Sequence, residues 1–256
     1  QLGNLEINNF SNKFLDRPES VWSVLRSSKS KKIYYGTYGG VLEYDGNEMK
    51  SISIEGEIEN EIIPSFTRTL LEDSDMNIYA AGRGFFGKIS RNSYGDSKYS
   101  SLMEKLPDSI NPYNQVFWGG VNKESEIYLY SRELIFRYNG DSFDKIWKLS
   151  DREEGIDGKG TIQTLIKVED RIFVRVWGLG LYELKNDQFI KIEKSEIFSK
   201  NRIESMVAID NGKIAIFSSK LGTLIYDGNQ FLLHKNQRLN SWIKEKLIYH
   251  NLNKLE

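Results

Sequence analysis

A pattern of four short strands recurs five times along the chain, and a repeat of this kind constrains the architecture before any single motif is considered. The isoleucines that open the second strand of each copy are Ile33, Ile78, Ile127, Ile172 and Ile214, at spacings of 45, 49, 45 and 42 residues. Apolar residues alternate within the copies, as in "IYLYSRELIFRY" from Ile127 and "RIFVRVWGLGLYEL" from Arg171. Alternation with period two, in segments rich in β-branched and aromatic residues and bounded by Gly, Asn and Asp, predicts strands. A period of roughly 40 to 50 residues is what one four-stranded propeller blade occupies, and a solenoid of helices would not alternate in this way. The sequence therefore predicts an all-β fold, a β-propeller with five recognisable four-stranded blades at about 21–53, 66–102, 116–147, 162–193 and 203–235.

The copies share an internal order: an apolar strand, a polar turn, a second strand, a tight break, a third strand, a short polar turn and a fourth strand. Asp45-Gly46, Asn139-Gly140 and Asp227-Gly228 occupy the last turn and predict type I′ hairpins, which need positive φ at both central positions. In the second copy "SRNSYGDSKYSSLMEKLPDS" from Ser90 reads as a polar insertion at a rim. Residues 1–14 read as a strand that completes the last blade and closes the ring, which removes sheet edges. Residues 236–256 read as an incomplete C-terminal blade, so that 1–256 form a single propeller domain. Five copies leave three alternatives: a ring needing more chain than this, five blades closing with a divergent tail, or two chains completing one another as a homodimer.

The glycines of "GTYGG", Gly36 to Gly40, and of "GRGFFG" from Gly82 invite comparison with phosphate-binding loops. Neither precedes a helix, and a phosphate cradle uses a helix N-terminus, so these glycines are read as turn and packing positions. Thirty-five basic against 36 acidic residues give a net charge of −1, which lacks the footprint of a nucleic-acid or anionic-membrane binder. No apolar run reaches the length of a membrane span, so contact with a membrane would come only through flanking segments. Cysteine is absent, which excludes disulfides and thiolate chemistry and leaves the redox compartment open. The two histidines, His234 and His250, stand sixteen residues apart, and acidic pairs such as Glu72 with Asp73 and Glu153 with Glu154 read as turn acids. No catalytic residue, metal site or cofactor is assigned on these grounds.

The segment "KIYYGTYGGVLEYDG" from Lys32, preceded by "PESVWSVLRS" from Pro18, resembles the two-component regulator propeller repeat. The resemblance covers about residues 5–235, is strongest in the first and fifth copies, and weakens in the second, where "GRGFFGKIS" lacks the tyrosine-Asp-Gly ending. It implies a periplasmic or extracytoplasmic sensor region of a bacterial receptor of the hybrid histidine kinase type. It also implies a seven-bladed ring followed by a β-sandwich, a membrane span and a signalling output.

In propellers the ligand face is built from the connections entering the innermost strands and from the breaks between second and third strands. Those positions nominate Arg17, Trp22, Tyr38, Arg68, Arg83, Trp118, Arg132, Trp177 and Arg202. Flat aromatic faces and forked guanidinium donors suit a sugar or an anion. For each residue the competing reading is packing between blades or a solvated charge. The expected function is non-enzymatic signal input, with a small solute or oligosaccharide as the bound partner. A propeller enzyme, glycosidase or polysaccharide lyase, and a protein-interaction scaffold are the alternatives.

Overall fold

The computed structural model describes residues 20–58, 61–64, 66–111, 115–148 and 160–246. Five four-stranded antiparallel sheets follow one another along the chain, each with its strands in sequence order. Blade 1 holds β1 (Val21–Arg26), β2 (Ile33–Thr37), β3 (Gly40–Tyr44) and β4 (Met49–Ser53). A two-stranded hairpin, β5 (Glu55–Ile58) and β6 (Glu61–Pro64), separates it from blade 2, with β7 (Thr67–Glu72), β8 (Ile78–Gly82), β9 (Phe85–Arg91) and β10 (Ser97–Ser101). Blade 3 comprises β11 (Gly119–Lys123), β12 (Glu126–Tyr130), β13 (Leu134–Tyr138) and β14 (Phe143–Lys148). Blade 4 comprises β15 (Ile162–Val168), β16 (Arg171–Val176), β17 (Gly180–Lys185) and β18 (Gln188–Lys191). Blade 5 comprises β19 (Ser205–Ile209), β20 (Lys213–Ser218), β21 (Gly222–Tyr226) and β22 (Phe231–Leu233), and the helix α1 (Gln237–Lys246) follows it.

The middle strands are buried on both faces, as Ile127 to Tyr130 on β12 and Ile172 to Val176 on β16 show, because each sheet stacks against its neighbours. Four apolar clusters fill the four interfaces between consecutive blades. Phe86, Phe117 and Phe136 meet between blades 2 and 3, and Phe173, Phe198 and Ile216 between blades 4 and 5. These side chains are fully buried, and each contributes about 2 to 3 kcal/mol of transfer free energy. The first strands β1, β7, β11, β15 and β19 lie next to one another in that order, which places them on the inner side of the fan.

Several expectations are corrected. Residues 237–246, expected within a partial blade, form α1: Asn236 accepts the Leu239 N–H as a cap, and Asn240 and Ile243 turn inward against blade 5. Asn240 accepts the Thr223 N–H at 2.9 Å and donates to the His234 carbonyl at 2.8 Å, which ties α1 to blade 5. The supposed insertion after Ser90 contains the fourth strand of blade 2, β10, and the true insertion is the β5–β6 hairpin. The Asp-Gly and Asn-Gly turns are not type I′. The side chains of Asp45, Asn139 and Asp227 each accept two backbone N–H bonds from the residues after the glycine, and only the glycines adopt positive φ. Both-positive geometry occurs in blade 4, at Asn186 and Asp187. The strand expected at 1–14 lies outside the described residues.

Candidate functional site

Antiparallel pairing brings the start of every first strand beside the end of its second strand. Val21 faces Thr37, Thr67 faces Gly82, Gly119 faces Tyr130, Ile162 faces Val176 and Ser205 faces Phe217. One rim of the fan therefore collects the strand entries and the turns after the second strands. In blades 1, 2 and 4 the ladder slips by one residue at the same place, leaving Trp22, Arg68 and Gln163 unpaired between their neighbours. Such a bulge re-aims the side chain it carries. Trp118 and Glu204 hold the matching positions in blades 3 and 5, where their N–H groups bond to the carbonyls of Tyr130 and Phe217 at 2.9 Å.

On this rim, across blades 1 to 3, the Arg68 guanidinium lies over three rings, 4.9 Å from Trp22, 4.5 Å from Phe66 and 4.2 Å from Trp118. Arg132 lies over the same Trp118 ring at 4.1 Å. Trp22 packs on Phe66 at 4.8 Å, and Tyr38 meets Phe66 edge-on at 5.6 Å. Burial, and then the neighbouring charge of Arg132, lower the proton affinity of Arg68, while Tyr130 acts the other way. Tyr130 donates from its hydroxyl to the Gln163 carbonyl at 3.0 Å. Burial pushes its pKa up to about 12, although Arg132, Arg68 and Arg202 all pull it down. Among the described residues neither Arg68 nor Arg132 has a carboxylate partner.

A second arginine layer lies beside the first. Arg175, 1% exposed, donates to the Gln163 side chain at 2.6 Å and to the carbonyls of Phe198 at 2.9 Å and Ser199 at 3.1 Å. Burial and the charge of Arg202 push it down to about 10, with Glu204 opposing. Its guanidinium lies 5.0 Å from the Trp177 ring. The rim thus brings Arg68, Arg132, Arg175 and Arg202 together with Trp22, Trp118 and Trp177. Among the described residues no group of acids and histidines is arranged to hold a metal ion.

Of the residues nominated from sequence, Trp22, Tyr38, Arg68, Trp118 and Arg132 form one continuous cluster. Trp177 and Arg202 belong to the Arg175 layer. Arg83 is exposed in the β8–β9 turn, and its backbone bridges to Val116. Arg17 lies outside the described residues. Sequence reading missed Phe66, Tyr130, Gln163, Arg175 and Glu204. Aligning the copies on the residue that enters the first strand would have put Gln163 and Glu204 beside Trp22, Arg68 and Trp118. Arg175 carried no such signal, because it sits in an apolar alternation.

Fold and rim together define a β-propeller repeat protein with a cationic, aromatic inner rim. In structure it is similar to the extracellular domain of the putative hybrid two component system BT3049 from B. thetaiotaomicron. That match has a TM-score of 0.55 at 15% identity and covers 85% of this chain and 28% of that one. It is also similar to the WD40 β-propeller domain of Doa1, with a TM-score of 0.54 at 12% identity, covering 84% and 68% of the two chains. The virginiamycin B lyase of Staphylococcus aureus matches with a TM-score of 0.55 at 9% identity, covering 84% and 69%. At these identities the likeness establishes the fold. The chain spans under a third of the BT3049 domain. No protein-family model matches the sequence, and no curated protein matches it.

Proposed function

We propose that this chain is part of the extracytoplasmic signal-input propeller of a bacterial two-component receptor. In this reading it binds, without chemical turnover, a solute that carries both hydroxyl-rich faces and a negative charge, such as an acidic sugar. The observation that carries the proposal is the Arg68 guanidinium set among Trp22, Phe66 and Trp118, with Arg132 on the same indole. Indole faces take the apolar face of a sugar ring, and the guanidinium groups stay charged at neutral pH and bind a carboxylate with paired donors. Arginines that keep their protons are binding groups rather than general acids or bases.

The arrangement also supplies a route for a signal. Trp22 belongs to blade 1, Arg68 to blade 2 and Trp118 to the entry of blade 3, so one bound molecule would bear on three consecutive blades. A ligand shifts a conformational equilibrium only by its difference in affinity for the two states, and contacts that span blades provide such a difference. The similarity to the BT3049 extracellular domain supports the receptor setting, and the likeness to a lyase propeller keeps an enzymatic reading as the second one.

Calorimetric titration with galacturonic acid and with galactose tests the proposal. The acid is expected to bind more tightly than the neutral sugar, Arg132→Gln to weaken it about tenfold, and Trp118→Ala to abolish it. Equal binding of both sugars, or unaltered binding by the two variants, would overturn the reading. Consumption of the sugar would favour the enzyme.

A further inference from the structure

An open cleft of about 650 Å3 lies between blades 1 and 2, at the end of the sheets opposite the arginine rim. Its walls are the β1–β2 turn, the β7–β8 turn and the end of β9, and its size falls within the roughly 300 to 1,000 Å3 of small-molecule sites. Lys29 lines it from the first turn, and Lys88 and Arg91 line it from β9. These three cations have no carboxylate partner among the described residues, and no carboxylate lines the cleft. Two nearby acids are already engaged: Glu43, 4% exposed, is bound by Lys32 and by the Ser97 hydroxyl at 2.5 Å, and Glu72 accepts from the Ser27 hydroxyl and the Ser28 N–H, both at 2.8 Å. Lys32 is thereby neutralised, while Lys29, Lys88 and Arg91 line the cavity without a carboxylate partner among the described residues. The hydroxyls of Ser30 and Ser90 add polar donors, and Ile78 and Ile89 give one wall an apolar surface.

The geometry points to this cleft as a second binding site, for a small organic phosphate such as a sugar phosphate. Three cations around one cavity, without a carboxylate partner among the described residues, match the nearly two negative charges and three acceptor oxygens of a phosphate monoester. The isoleucine wall covers its carbon skeleton. Because the cleft is shared by two blades, its occupant would tie blade 1 to blade 2 from the side opposite the rim.

Titration of the whole chain with glucose 6-phosphate, glucose, inorganic phosphate and sulfate tests this. Glucose 6-phosphate is expected to bind and glucose not to. Tighter binding of the sugar phosphate than of inorganic phosphate would show that the isoleucine wall contributes, and equal binding of phosphate and sulfate without preference for the sugar would overturn the organic ligand. Lys88→Gln and Arg91→Gln, checked for an unchanged melting temperature, should each weaken binding at the cleft about tenfold, whereas Arg132→Gln on the opposite rim should leave that component of the binding unaltered. Raising the salt concentration should weaken binding to the unaltered protein, which tests the charge requirement without any substitution. Absence of binding, binding insensitive to salt, or loss caused by Arg132→Gln in place of the cleft variants would overturn the site.

Discussion

Gly82 shows at the scale of one residue how a sequence feature that suggests chemistry is used for packing. It begins the "GRGFFG" run, yet a Cβ built there would stand 1.9 Å from the Phe66 carbonyl oxygen and 2.5 Å from the Phe85 ring. The missing side chain lets blade 2 close on the strand entry that presents Phe66 to Arg68. Because the nearest obstacle is backbone, the structure cannot yield by rotating a side chain. Gly82→Ala is expected to cost about 2 to 4 kcal/mol, read as a lower urea midpoint. A midpoint within error of the parent would show that the backbone moves aside at little cost. The bulged residues make the complementary case. Trp22, Arg68 and Gln163 were visible in the sequence as letters, but their common direction depends on a one-residue slip in the ladder between the first and second strands of each blade, which the apolar alternation does not announce.

At the scale of elements, three blades repeat one diagonal ion pair between the residue just before the isoleucine of the second strand and a residue late in the third. Lys32 pairs with Glu43, Arg171 with Glu183 at 2.6 Å, and in blade 3 the signs are exchanged, with Glu126 and Arg137 at 3.4 Å. Each pair brackets an aromatic residue, Tyr34, Phe173 or Tyr128, and the Arg171 guanidinium lies 4.9 Å from the Phe173 ring. Arg137 also reaches the next blade, bonding Asp187 at 2.9 Å, and Glu43 does the same through Ser97. In blade 3 the attraction is kept with its polarity reversed. Glu183→Gln should leave Arg171 and Lys185 without their partner, at a cost of about 1 to 2 kcal/mol given that Arg171 is partly exposed. In a double-mutant cycle with Arg171→Met the second change should cost much less than it does alone. Additive effects would mean that the pair contributes nothing.

On the scale of the whole molecule, the same carboxylates set the acid limit of the fold. Burial pushes the pKa of Glu43 up, but hydrogen bonds from Lys32, Ser97 and Tyr34 outweigh it and hold the group below its ordinary value. Glu183 behaves alike, with Arg171 and Lys185 outweighing burial, and Asp144 is lowered by the Arg137 hydrogen bonds. A carboxylate whose folded pKa is depressed contributes stability that is full above its unfolded value of about 4 and is lost as pH falls through the folded one. The urea midpoint should therefore be level near neutrality and decline below about pH 4. A midpoint level down to about pH 2 would show that these groups are not held in the fold.

The strand repeat and its period were legible in the sequence because alternation and turn residues are local, and each copy states them again. Four-stranded blades, their order and most of the rim candidates followed from that alone. Other features needed the folded chain. The helix α1 arises where "QRLNSWIKEK" meets blade 5 and Asn240 satisfies two backbone groups there. The Arg68 cluster needs rings from three blades, and the buried Arg175 finds acceptors 23 and 24 residues away. The sequence by itself determined what each blade is, because strand formation depends on neighbours along the chain. Only the tertiary structure decided which side chains meet at the rim, because that depends on how blades stack and on where each ladder slips.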